Sequence, residues 1–207
     1  MTLTHMIKGL FAKPKKEWRW YHGAAFLVGA QVAAFTLEGL VAWAAGNRPR
    51  FELFSNDQVK LYYELKQAKF IPPPWVFGPA WITNNILTIA GTLLVLNNNE
   101  QTPGRNAFLK LQVASWLVFV SFNAASVGLR SPINAFGLTF AMWVLTVAST
   151  IIALRQLKDN RVAWLLSTLL LWTTIASAVA LCQMLWNYDE LYNLGPFTQP
   201  VPGLVRT

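Results

Sequence analysis

The chain has 207 residues, 54% of them hydrophobic and 13% charged, with a mean hydropathy of +0.36. Soluble domains carry roughly a quarter of their residues as charged side chains, so this balance excludes an ordinary soluble domain and indicates an integral membrane protein. The net charge is +8, but Lys and Arg are scattered through loops and flanks, which marks topology signals and contacts to anionic head groups and argues against nucleic acid as a partner.

Residues 1–22 form a basic and aromatic arm. Lys8, Lys13, Lys15, Lys16 and Arg19 alternate with Met6, Ile7, Leu10, Phe11, Trp18 and Trp20. Met6-Ile7 and Leu10-Phe11 share a helical face, so a short interfacial helix is expected before Pro14, with Trp18, Trp20 and Tyr21 as an aromatic belt. The alternative for this arm is docking to a partner. Five apolar spans follow, near 23–45, 76–97, 107–128, 133–154 and 161–186, each long enough for the roughly 20 helical residues that cross a bilayer. They must be helices, because lipid offers no partner to an open backbone. The predicted fold is therefore an all-α integral membrane protein, a five-transmembrane-helix bundle over 23–186. Its first loop is long, and a Pro-rich polar tail covers 187–207.

Between the spans, Gly46 to Pro74 is a candidate lid whose middle, Asn56 to Lys69, reads as a helical turn or two. Gly128-Leu129-Arg130-Ser131-Pro132 is a tight turn, and Arg155 to Arg161 another short connection. Counting Lys and Arg on the two sides gives a small excess with the N-terminus, which places that end in the cytoplasm.

Polar groups inside spans are costly and mark either helix contacts or a site. Glu38, Asn84, Asn85, Asn123 and Gln183 are the candidates. His22, at a span boundary, is a candidate axial ligand for a (bacterio)chlorophyll or haem metal. Trp75, Trp81, Trp143 and Trp172 are candidates for an aromatic cage around a planar ligand, with core packing as the alternative. Cys182 is the single cysteine, which excludes an intrachain disulfide. The sequence offers no metal cluster, phosphate loop or nucleophile–base pair, so no catalytic role is expected.

The most particular stretch is Phe70 to Leu96, where three prolines lead through Trp75, Phe77, Gly78, Pro79 and Trp81 into the second span. Together with Tyr62-Tyr63-Glu64-Leu65-Lys66 and Lys69-Phe70-Ile71-Pro72-Pro73, it closely resembles the signature of the TspO/MBR family of tryptophan-rich sensory or translocator proteins. The resemblance implies a bundle that binds porphyrins, sterol-type lipids or synthetic aromatic ligands beneath its first loop, usually as a homodimer. It implies a site at Tyr62, Pro73, Trp75, Phe77 and Trp81, to which Asn85 and Trp172 are added. The chain departs from the family pattern in several places. Asn85 stands where the family commonly has Tyr, Phe119-Val120-Ser121-Phe122 replaces Asn-x-x-Trp, Thr168-Leu169 replaces Pro-Tyr, and Ala180 replaces Asn.

The expected function is thus binding of an apolar planar molecule for transport or sensing. The ligand would be a tetrapyrrole such as a porphyrin or (bacterio)chlorophyll, a carotenoid or a bound lipid, held by burial and stacking more than by hydrogen bonds. The alternative is a non-catalytic accessory or scaffold subunit of a larger photosynthetic or respiratory membrane complex, docked through its tails.

Overall fold

An α-helix satisfies its own backbone within one segment, which is what a span in lipid requires. In the computed structural model, which describes residues 17–44 and 64–206, the five spans form α1 (Trp20–Ala44), α2 (Pro74–Leu96), α3 (Arg105–Asn123), α4 (Pro132–Ile152) and α5 (Asn160–Trp186). A π-helical turn extends α3 over Ala124–Gly128 and α4 over Ala153–Leu157. All five are long and apolar enough to cross a membrane, so the five-helix bundle is confirmed. The first 16 residues, including His5 and the expected interfacial helix, lie outside the described residues, as does most of the first loop.

Local chemistry fixes the helix ends. Pro74 at the start of α2 loses nothing by lacking an N–H, since the first donors of a helix are orphaned anyway. Ser131 caps α4 by accepting from Asn134 N–H at 3.1 Å, with Pro132 next. Asp159 caps α5 through Arg161 N–H at 3.0 Å. At the start of α1, His22 Nδ1 reaches back to accept from Arg19 N–H at 3.0 Å, the reciprocal half of a capping box. That contact, with the ring edge-on to Trp18, engages one ring nitrogen of His22 in a helix start rather than leaving it for a metal.

The helices pack as a ring in the order α1, α3, α4, α5, α2, with α4 against α5 the most extensive contact and α2 against α1 and α3 the lightest. Three layers stack along the bundle axis. At the end shared by the start of α1 and the end of α2, Val95, Phe108, Leu109, Ala153, Val162, Ala163 and Leu166 form a dry core. Here Arg105, 1% exposed, turns inward and donates to the carbonyls of Val95 at 3.2 Å and Leu96 at 3.1 Å. It thereby satisfies the C-terminal orphans of α2. The Asn97 amide pairs with both backbone groups of Trp18 at 2.8 Å, fastening α1 to α2.

The opposite end is closed by a polar latch. The Asp189 carboxylate, 1% exposed, accepts from Ser131 Oγ–H (2.6 Å), Ile133 N–H (2.9 Å), Leu191 N–H (3.1 Å) and Tyr192 N–H (3.0 Å). A negative group at the N-terminus of α4 also complements the helix dipole. Beyond it the tail folds back along the end of the first loop: Lys69 N–H donates to Leu204 C=O and Arg206 N–H to Gln67 C=O, both at 2.7 Å. Ala68 pairs with Val205 of the tail; of the helical turn or two expected within Asn56 to Lys69, Glu64 is helical, residues 66–69 are not, and 56–63 lie outside the described residues. The tail supplies the backbone partners of this stretch, which an α-helix would otherwise provide internally. Gln183 Nε2–H donates to Gln67 Oε1 at 2.7 Å, and Asn187 bonds both backbone groups of Lys66. Gln183 therefore fastens the loop instead of lining a cavity.

Candidate ligand site

Between the dry core and the latch lies the third layer. On α2, Trp81, Asn85 and Thr88 recur at i, i+4 and i+7 and so share one face. That face meets Ser115, Trp116 and Phe119 of α3, Met142 of α4 and Leu169 of α5 around a cavity of about 20 Å³, room for roughly one water molecule. Among the described residues the lining carries no charged group.

A run of ring contacts passes along this layer. Phe77 meets Trp172 at 5.4 Å and Trp172 meets Trp81 at 6.4 Å, both edge-on. Trp81 contacts Phe119 at 5.6 Å, Phe119 contacts Trp116 at 5.2 Å, and Trp116 contacts Phe26 of α1 at 4.9 Å. Edge-to-face pairs at these separations each add about 0.5–1.5 kcal/mol beyond area burial. Six rings thus connect α5, α2, α3 and α1 across the lightest seam of the bundle. Among the described residues, three polar atoms in this layer have no hydrogen-bond partner: Asn85 Nδ2, Thr88 Oγ1 and Trp172 Nε1.

The structure brings together Phe77, Trp81, Asn85 and Trp172 of the residues named from sequence. Pro73 is exposed at the entry to α2. Trp75 is 75% exposed and stands apart from the cavity, at the level where Trp43 is 70% exposed; Trp20 and Trp164 are similarly open at the other end. These four tryptophans make two belts at the heights where indole prefers to lie in a bilayer. Tyr62 lies outside the described residues. Trp143 donates its Nε1–H to Thr174 at 3.0 Å and stacks on Phe140, away from the cavity. Sequence reasoning missed Thr88, Ser115, Trp116 and Met142. The available signal was the register of α2, where Thr88 continues the face of Trp81 and Asn85; nothing in the local sequence ties Ser115 or Met142 to it.

A membrane-spanning five-helix bundle, with an aromatic layer and a small uncharged cavity between α2, α3, α4 and α5, is the class these features define. The sequence profile of the TspO/MBR family matches residues 27–186. The chain belongs to that family. No curated protein is significantly similar to it.

Proposed function

We propose that this protein binds a flat, apolar molecule at the aromatic layer between α2, α3 and α5, in a transport or sensing role rather than a catalytic one. The single observation carrying this reading is the six-ring run centred on Trp81, which flanks a cavity bordered by buried polar groups. Drug-sized pockets span about 300–1,000 Å³, far above the cavity present, so a tetrapyrrole, carotenoid or lipid enters only if rings such as Trp81 and Phe119 swing apart. The light packing of α2 on α1 and α3 supports an opening at that seam. Phe77, Trp81, Asn85 and Trp172 are the proposed contacts. Pro73 and Trp75 position and anchor the start of α2, and the Lys and Arg excess puts the N-terminus in the cytoplasm.

The test is a titration of the protein in lipid nanodiscs with octaethylporphyrin, a planar tetrapyrrole without carboxylates, read by tryptophan quenching against empty nanodiscs. Trp81→Ala weakens binding at least tenfold, while Trp75→Ala leaves it within a factor of two. Equal loss in both variants, or no saturable quenching, contradicts the reading. Recovery of the native protein only within a large multi-subunit assembly, without such quenching, favours the scaffold role instead.

A further inference from the structure

Buried polar atoms without partners are rare in folded proteins, and each one is a constraint on what sits beside it. Two of them here belong to residues that line the same cavity, three positions apart on α2. Asn85 is 5% exposed and its Nδ2 has no acceptor; Thr88 is 4% exposed and its hydroxyl is unpartnered. A third, Trp172 Nε1–H, belongs to the ring that contacts Trp81. The amide NH₂ and the indole N–H can only donate, and a hydroxyl can donate as well. Around them the lining is apolar or aromatic apart from the Ser115 hydroxyl, and among the described residues it holds no cation, so an anionic group brought here would lose its hydration without a counter-charge.

From this we infer that the ligand presents a neutral hydrogen-bond acceptor, a ketone or quinone-type carbonyl, to Asn85 and Thr88, with its flat apolar body against Trp81 and Phe119. The inference rests on the proposed planar-ligand reading and narrows its chemistry. It selects carbonyl-bearing polycycles and isoprenoids over molecules that must bury a carboxylate. The cavity of about 20 Å³ matches one acceptor atom, not a whole ring, which is why the body of the ligand is assigned to the aromatic seam. The Asn85 position departs from the tyrosine common in the family, so the preference is a property of this chain.

Three tricyclic probes of one shape separate the terms: fluorene with no acceptor, 9-fluorenone with one carbonyl, and fluorene-9-carboxylate with a charge. Binding to the full chain in nanodiscs is measured by calorimetry, with empty nanodiscs subtracted for partition into lipid. The expected result is fluorenone at least tenfold tighter than fluorene, and the carboxylate weakest. Asn85→Leu should remove the fluorenone advantage over fluorene, and Thr88→Val should reduce that advantage. If fluorene and fluorenone bind equally and Asn85→Leu affects neither, the donors serve only a water and the inference is overturned while planar-ligand binding stands. If the carboxylate binds tightest, the neutral-acceptor assignment is wrong. If none of the three binds, both the inference and the reading beneath it fail.

Discussion

Replacing Asp189 by alanine removes the acceptor on which the latch converges. Its carboxylate takes four hydrogen bonds at 2.6–3.1 Å while 1% exposed. Hydrogen bonds to charged groups contribute about 1.5–3 kcal/mol each, and orphaned buried donors cost a further 1–3 kcal/mol. The contributions are not additive and the tail can rehydrate once released, so we expect roughly 4 kcal/mol of destabilisation. Asp189→Asn keeps one carbonyl oxygen for Leu191 N–H and Tyr192 N–H but loses the second, and should cost about half as much. The effect is local before it is global. The tail from Tyr188 to Arg206 should detach, and the Lys69 and Arg206 amides, which bond across the loop–tail seam, should lose protection from hydrogen exchange. Amides in the dry core around Leu166 should stay protected. Exchange mass spectrometry in nanodiscs reads both regions together. Unchanged exchange at Lys69 and Arg206 in Asp189→Ala would refute the hub, and equal acceleration in the core would show that the latch is not a separate unit.

Further outcomes follow from the termini of the helices. Lys158 ends α4 with φ +53°, is exposed, and sits where glycine is at ease; Lys158→Gly should raise thermal stability by about 1 kcal/mol, and Lys158→Val should lower it. Gly104 has φ +79°, and a Cβ there would lie 2.6 Å from that of Gln156, so Gly104→Ala should destabilise by about 1–3 kcal/mol in the same melting assay. Asp159→Ala removes the cap of α5 at a cost of about 1 kcal/mol. The Arg161 guanidinium bonded to Asp159 holds that carboxyl below its ordinary range. Its contribution is therefore complete above the unfolded value near pH 3.9 and lost as pH falls through the lower folded value. The stability gap between native protein and Asp159→Asn should accordingly close only under acid conditions below about pH 3.9. Arg130 joins Glu64 of the first loop to Glu190 of the tail, each at 2.8 Å but with side chains 43–53% exposed. Surface pairs of this kind contribute about 0–1 kcal/mol, so Arg130→Ala should loosen loop exchange slightly and Asp189→Ala strongly.

Sequence alone reached the bundle because spans in lipid are constrained to long apolar helices, and α2, α3 and α4 each close on a legible stop: Asn97, Gly128 and the Arg155–Arg161 turn. The resemblance carried by Tyr62 to Trp81 pointed to α2, one of the helices that border the cavity. It did not separate Trp75 from Trp81, which lie six residues apart and so point about 120° apart around α2. Trp75 meets the interface and Trp81 the interior, a distinction set by the rotation of the helix within the ring. The latch was not legible for a different reason. Asp189, Gln67 and Leu204 are remote in sequence, and the bonds between the loop and the tail run mainly through backbone groups, which leave no side-chain signature. Asn85 was visible as a departure from the family, whereas its unpartnered amide became evident only with its neighbours in place.

On the proposed reading, a planar molecule occupies the aromatic layer inside the bundle. The most direct measurement is photolabelling in native-like membranes with a flat, diazirine-bearing polycycle, followed by peptide mapping with and without excess unlabelled competitor. The account predicts competable labels on 77–88, 115–119 and 169–172, reduced in Trp81→Ala. Labels confined to the lipid-facing belt around Trp20, Trp43, Trp75 and Trp164, and insensitive to competitor, would contradict it.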